Sequence, residues 1–114
     1  MAQSIPIISG STVKVQLFWA YPSNPAITLD SINNVSFYVY CNGSLKMTIA
    51  KSGLVREEVE TATETIVNWY AYIDTTGMCG NLLFRIKTEI PDADAPGSKM
   101  PDIKEWDPRI MVVM

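Results

Sequence analysis

The chain has 114 residues, of which 47% are hydrophobic and 18% are charged, and its formal net charge is −3. This length suits a single domain that buries roughly two-thirds of its unfolded surface, and this composition excludes a disordered or fibrous protein. The nine Lys and Arg residues are scattered along the chain. Binding to nucleic acid requires a clustered basic face, so we expect no nucleic acid partner.

The chain contains no histidine, which excludes a Ser-His-Asp triad, a Cys-His dyad and imidazole ligands for a metal. Cys41 and Cys79 show no metal-ligand spacing, so we expect no bound metal. We expect both to be buried free thiols, with a disulfide as the alternative. The acidic cluster Glu57, Glu58 and Glu60 is expected on a solvated face. We therefore expect no enzyme active site, no cofactor and no small-molecule substrate.

The start of the sequence has no basic region followed by a long apolar core, which a secretory signal peptide would have. No stretch reaches the ~20 apolar residues of a membrane-spanning helix. We therefore expect synthesis in the cytoplasm and no membrane partner.

A mixed apolar and polar segment, residues 1–11, opens the chain, and we interpret it as an N-terminal arm before a single domain at residues 12–114. Strict alternation predicts a strand over residues 12–20. One face of this strand carries the apolar residues Val13, Val15, Leu17 and Trp19. Two prolines end it, and a short strand is expected at residues 26–29.

Residues 35–41 and 44–50 alternate in the same way. The Asn42-Gly43 pair between them is the strongest short hairpin signal, because a type I′ turn needs positive φ at both central positions. We therefore predict a β-hairpin. Residues 54–64 fit either one or two helical turns or an exposed edge strand.

Further strands are predicted over residues 65–73, 82–90 and roughly 109–113, and residues 91–101, rich in Pro, Asp and Gly, are predicted to be a loop. Short strands with turn signals at intervals of about 8–12 residues are typical of all-β folds. With about seven such strands, we predict an immunoglobulin-like antiparallel β-sandwich, with a small closed β-barrel as the alternative.

Aromatic side chains on the outward strand faces are candidates for protein contacts. Tyr38 and Tyr40 share one such face, and Tyr70 and Tyr72 share another. Stacked tyrosines bind sugars or protein partners, although they also pair across strands to stabilise a sheet. Trp106, just ahead of the last strand, is expected to cap one end of the sandwich or to touch a neighbouring protein.

The two ends of the chain supply a second group of candidates. Ile5, Ile7 and Ile8 lie in the N-terminal segment, and Met111 and Val113 lie in a C-terminal run without a polar residue. A sticky, β-prone end is an aggregation hazard unless it is paired within the sheet or against another subunit. We therefore predict a homo-oligomer.

Three stretches near the C-terminus follow one another: LLFRIKTEIPDAD at residues 82–94, PGSK at residues 96–99 and WDPRIMVV at residues 106–113. They resemble the ends of small proteins from phages and prophages of gut Bacteroidales bacteria, in which a strand leads into an IPDAD-type loop and a final strand. Ala95 departs from that pattern, in which an aromatic residue is common. The upstream layout is similar to the immunoglobulin-like N-terminal domain of phage baseplate upper proteins.

This resemblance implies a non-enzymatic virion structural protein, made in the host bacterial cytoplasm. Its expected place is the tail, the baseplate, the head-fibre region or a capsid decoration, where it docks other virion proteins. The alternative is an immunoglobulin-like binding module that recognises a glycan or a host-surface ligand through a tyrosine-bearing sheet face.

Overall fold

The structure, a computed structural model, describes residues 4–114, and this range contains nine strands and three short 3₁₀ turns. The strands are β1 (Ile5–Ile8), β2 (Thr12–Leu17), β3 (Val35–Cys41), β4 (Ser44–Ala50), β5 (Val55–Glu60), β6 (Thr65–Asp74), β7 (Gly80–Pro91), β8 (Lys99–Trp106) and β9 (Ile110–Val113). The 3₁₀ turns span Leu29–Ser31, Lys51–Gly53 and Pro96–Ser98.

The nine strands form two sheets that pack together and do not close into a barrel. The larger sheet has the order β1-β9-β7-β3-β4. Strand β8 pairs with the same edge of β7 as β9 does: β9 pairs with the first two residues of β7, and β8 pairs with β7 from Phe84 onward. The smaller sheet has the order β2-β6-β5. Every pair is antiparallel except β1 with β9, which run parallel. The predicted immunoglobulin-like β-sandwich is therefore confirmed, and the barrel alternative is excluded.

The core lies between the sheets because the strands alternate with a period of two. On β3, every second side chain from Val35 to Cys41 is buried. Phe37 and Phe84 are 0% and 1% exposed and meet edge to face, with ring centroids 5.1 Å apart. The smaller sheet contributes the fully buried Ala71 and Ile73. Burying each large apolar side chain stabilises the fold by about 1.5–3 kcal/mol.

The Asn-Gly hairpin forms as predicted between β3 and β4. Asn42 and Gly43 have φ angles of 51° and 84°, the left-handed pair that a type I′ turn requires. A side chain at Gly80 would collide with this turn, because a Cβ placed there would lie 2.9 Å from Asn42 Cβ.

The N-terminal segment belongs to the sandwich. Strand β1 aligns with β9 from Ile5 opposite Ile110 to Ile8 opposite Val113; residues 1–3 of the predicted arm lie outside the described residues. The turn after β1 is tied to the start of the β6–β7 connection by Thr75. The Thr75 hydroxyl donates a 2.6 Å hydrogen bond to the Ser11 carbonyl and accepts one of 3.1 Å from the Gly10 N–H.

Two segments differ from their predicted secondary structure. Residues 26–29 form no strand, because Thr28 and Ser31 bond to each other around the 3₁₀ turn Leu29–Ser31. The predicted loop at residues 91–101 ends at Lys99, where β8 begins. Strand β8 lacks a clear apolar alternation because its inward positions include Asp102 and Lys104, whose charged atoms pair at 3.3 Å.

Residues 54–64 and the cysteines are also settled. The helical alternative for residues 54–64 is wrong, since Val55–Glu60 form β5. Both cysteines are free, but only Cys41 is buried. The prediction that Cys79 is buried is therefore wrong: this residue follows a turn at Gly77, whose φ is 80°, and lies outside the core.

Candidate interaction surfaces

An exposed apolar face runs across the two terminal strands. We call it the terminal surface and define it as the outward side chains of β1 and β9: Pro6, Ile8, Met111 and Val113. Pro6 lies opposite Met111, and Ile8 lies opposite Val113. Ile8 is 62% exposed and Met111 is 37% exposed. The structure thus brings together residues that are about a hundred positions apart in the sequence.

The other residues predicted at the ends divide between core and solvent. Ile7 lies opposite the buried Val112 and packs against the core. Ile5 opens β1 and is 63% exposed. Three of the five predicted contact candidates of the two ends, Ile8, Met111 and Val113, therefore lie on the terminal surface, whereas Ile5 and Ile7 alternate with it.

The free edge of β1 offers few backbone hydrogen bonds, although the strand is apolar. The N–H groups of Ile5 and Ser9 donate 2.7 Å bonds to the carbonyls of Arg109 and Val113, so the backbone groups of Pro6 and Ile8 face away from β9. Proline has no N–H, and the Ile8 carbonyl already accepts a bond from Ser11. The edge is therefore blunted, as is usual where a proline lies on an edge strand.

The four predicted tyrosines do not form one surface. Tyr38 and Tyr40 lie on the outer face of the larger sheet, whereas Tyr70 and Tyr72 lie on the outer face of the smaller sheet, on the opposite side of the molecule. Cations also lie over three of these rings, within the range of cation–π attraction, with Lys14 Nζ 5.9 Å from the ring centroid of Tyr72. The Arg85 guanidinium lies 5.0 Å from the Tyr40 ring centroid, and Lys14 Nζ lies 4.2 Å from that of Tyr70.

Trp106 packs into the end of the core. It is half-buried, and its ring centroid lies 6.0 Å from that of Phe37 and 5.6 Å from that of Phe84. It thus contributes to the core, and its predicted contact with a neighbouring protein stays a prediction.

The sequence did not predict a cleft that opens beside β6. The cleft has a volume of about 740 Å³, within the range typical of ligand sites. One wall is the first half of β6, and the opposite wall is the chain that leaves β2, together with the turn that follows. Its lining consists of Gln16, Leu17, Phe18, Trp19, Ala20, Thr28, Leu29, Asp30, Thr65, Val67, Asn68 and Trp69.

The cleft exists because β2, which runs antiparallel to β6, ends before it reaches the first four residues of β6. The last pair between them is Leu17 with Trp69, and the chain then turns away as Trp19 stacks on Tyr21, with ring planes 10° apart. Strand β6 continues to pair with β5 as far as Thr65. Residues 65–68 therefore have a neighbour on one side only. The break after β2 was predictable from the prolines, but which strand it leaves unpaired depends on the sheet order.

A polar cluster around Asp30 fixes the far wall of the cleft. The Arg56 guanidinium donates two 2.9 Å hydrogen bonds to the Asp30 carboxylate, and the Trp69 indole N–H donates a third of 3.1 Å. The hydrogen bond from Arg56 is the main reason that the pKa of Asp30 lies below its usual value. Arg56 also contacts Glu58 at 2.6 Å. The Arg56 guanidinium therefore pairs with two carboxylates, those of Asp30 and Glu58.

Other carboxylates are likewise held in their ionised form. The pKa of Glu89 is lowered chiefly by Lys99 and also by a hydrogen bond from Asn34, and that of Asp74 is lowered by the Thr76 hydroxyl and backbone N–H. A general acid needs a raised pKa, whereas these groups are stabilised as anions on the surface.

Within residues 4–114, no helix is long and apolar enough to cross a membrane. The same range holds no group of three or more carboxylate or thiol side chains placed to bind a metal ion. No protein-family model, curated protein or solved structure matches this chain.

Proposed function

We propose that this protein is a non-enzymatic structural subunit of a phage virion, and that it associates with copies of itself and with other virion proteins. The observation that carries the proposal is the terminal surface, where two neighbouring strands present Ile8 and Met111 to solvent. Met114, the residue after β9, is a further exposed apolar side chain, at 85%. Apolar patches of this kind commonly mark protein contacts.

The contact would be made by side chains, since Pro6 and the Ser11 hydrogen bond leave little backbone free on the edge of β1. A partner would therefore lie against the sheet face. A face-to-face contact between two copies would be self-complementary, as a two-fold interface requires.

The virion assignment is supported by the resemblance of the C-terminal third to phage and prophage proteins. The immunoglobulin-like sandwich agrees with that resemblance, although this fold serves many functions. A tail, baseplate, head-fibre or capsid-decoration position each remains consistent with the proposal.

Glycan recognition through the tyrosines has less support from the geometry. A sugar that stacks on Tyr40 or Tyr70 would have to displace the cation that already lies over the ring. The tyrosine pairs also lie on opposite sides of the molecule, so they cannot act together on one ligand.

The test compares the mass of the protein in solution with that of two variants. Multi-angle light scattering should give a defined oligomer for the full chain and a monomer for the double variant Ile8→Lys with Met111→Lys, because burying two charges in an apolar contact is unfavourable. Ile66→Lys is the matched control: Ile66 is also an exposed strand residue, at 39%, but lies on the smaller sheet. A native chain that is monomeric at every concentration would contradict self-association.

The virion part of the proposal has its own test. Purified particles of the phage that encodes the chain should contain it in a fixed ratio to the major capsid protein. Its absence from washed particles would refute a structural role.

A further inference from the structure

The first half of β6 presents unpaired backbone groups to the cleft. At the β5–β6 turn, the Thr61 N–H donates a 2.8 Å bond to the Glu64 carbonyl, so Thr61 and Glu64 are a hydrogen-bonded pair. Such pairs alternate along an antiparallel ladder. The backbones of Ile66 and Asn68 therefore bond to β5, and those of Thr65 and Val67 face the cleft.

A second observation at the other end of β6 gives the same alternation. The Thr75 N–H donates a 3.1 Å bond to the Ser11 carbonyl on the β2 side. Counting back by twos from Thr75 places the backbone of Trp69 against Leu17, which is the last residue of β2. Val67 and Thr65 are the next positions in that series, and β2 has left before it reaches them.

The cleft therefore lies where one further strand could pair with the first half of β6. An extended segment in this position would continue the line of β2 and bond to the N–H and C=O groups of Thr65 and Val67, as in β-strand addition. Its inward side chains would meet Leu17, Leu29 and Trp69, which line the cleft. The segment should therefore be apolar at alternate positions.

The charges around the cleft indicate which charge the end of a bound segment should carry. On β5, Glu58 lies opposite Val67 and Glu60 lies opposite Thr65. Arg56 is already shared between Asp30 and Glu58, and Lys51 is turned towards the Ile32 carbonyl at 2.6 Å. Among the described residues, no cation pairs with Glu60 or Glu64. Glu60, on the same face as Thr65, is therefore an unpaired carboxylate near this end of the cleft, whereas Glu64 alternates with Thr65 and lies on the outer face.

We propose that this cleft binds an extended, alternately apolar segment of another protein, added as a strand to the free edge of β6, with a lysine or arginine whose side chain reaches Glu60. The inference extends the proposed docking role to a partner of stated chemistry. Its test uses peptides and does not depend on the terminal surface, so it can fail or succeed independently of the proposed self-association.

The experiment is a titration of the full-length ¹⁵N-labelled protein with two synthetic peptides. Both alternate valine and threonine and have capped ends; one carries a lysine at each end and the other a glutamate. The lysine peptide should shift the amide signals of Thr65 and Val67 and the indole signal of Trp69. It should bind at least about tenfold more tightly than the glutamate peptide, and added salt should reduce that difference.

Two charge-reversal variants on the same strand separate the cleft from general charge effects. Glu60→Lys should remove or invert the preference for the lysine peptide. Glu57→Lys should leave it unchanged, because Glu57 pairs with Asn68 and lies on the other face of β5. Both positions are exposed, so neither variant should change the urea midpoint. Equal effects of the two variants would overturn the proposal.

A backbone variant tests the strand addition itself. Val67→Pro removes an N–H that faces the cleft and should weaken binding of the lysine peptide about tenfold or more. If Val67→Pro does not fold, the native chain tests the same contact: saturation with the lysine peptide must shift the Thr65 and Val67 amide signals, and unchanged signals would contradict strand addition. Absence of binding by both peptides, or shifts confined to the terminal surface, would overturn the proposal.

Discussion

The free edges of β1 and of the first half of β6 are opposite in character. The β1 edge belongs to an uncharged strand of isoleucines and proline, yet only the Pro6 carbonyl and the Ile8 N–H are left for a further strand, because Pro6 lacks an N–H and the Ile8 carbonyl is bonded to Ser11. The edge at Thr65 and Val67 lies among carboxylates, yet its backbone groups face an open cleft.

This difference shows that the composition of a strand and the availability of its edge are separate properties. Apolar side chains make the face of β1 suitable for contact, whereas the position of one proline decides whether its backbone can bond. In β6 the available edge arises because a neighbouring strand ends early. The two surfaces therefore suit different contacts: a flat face for β1 and β9, and an added strand for β6.

The largest expected effect is on amide hydrogen exchange. The amides of Thr65 and Val67 should exchange at least about a hundredfold faster than those of Ile66 and Asn68, because only the latter bond to β5. In β1 the amide of Ile8 should likewise exchange faster than that of Ile7. Two-dimensional NMR after transfer to D₂O measures all of these. Uniform protection along residues 65–68 would show that the edge is not free.

The second effect concerns self-association through β1. Pro6→Val would give the β1 edge an outward N–H, and this added hydrogen bond should strengthen edge-to-edge association of β1, as distinct from the proposed face contact, by up to about tenfold. Sedimentation over a range of concentrations measures it. Ile5→Val is the control, since its N–H already bonds to the Arg109 carbonyl. If Pro6→Val behaved like Ile5→Val, the proline would not be what limits the edge.

The smallest effect is the pH dependence contributed by Asp30, for which the β1 edge has no counterpart. Arg56 lowers its pKa in the folded state, so the stabilisation is present above the unfolded value of about 3.9 and is lost as the pH falls through the folded pKa. Because the pair is partly exposed, Asp30→Asn should cost less than about 1 kcal/mol at pH 7. Urea unfolding at pH 7 and pH 3 measures the cost.

The acid arm of that experiment decides its interpretation. The difference between Asp30→Asn and the native chain should shrink at pH 3, because this pH lies below the unfolded pKa of about 3.9 and the lowered folded pKa then contributes less stability. Asp94→Asn removes a loop carboxylate and should have no comparable effect. A cost that stayed constant with pH would mean that Asp30 acts through shape rather than charge.

The fold was largely predictable because its central strands alternate strictly. β3 and β7 bury every second residue over most of their length, and Asn42-Gly43 identifies the hairpin turn. β8 could not be predicted in this way, because Asp102 and Lys104 occupy inward positions and interrupt the apolar pattern. The structure of β1 depends on pairing with β9, which lies at the other end of the chain.

The candidate surfaces were predictable only in part. The apolar character of Ile8 and Met111 is visible in the sequence, but their adjacency follows from the parallel pairing. The cleft was not predictable, since it depends on where β2 ends relative to β6. Trp106 was predicted either to cap the sandwich or to touch a neighbouring protein, and its packing on Phe37 and Phe84 depends on the pairing of β8 with β7.

The parallel pairing of β1 with β9 has a mechanical consequence. The two parallel strands form a ribbon, in which β1 begins at Ile5 and β9 ends at Val113. These two residues lie at opposite ends of the ribbon. Tension applied through those two points would slide one strand along the other, so the hydrogen bonds between them would share the load instead of opening one after another. The sandwich is thus built to resist stretching along this ribbon, and a hairpin pulled from its open end would not be.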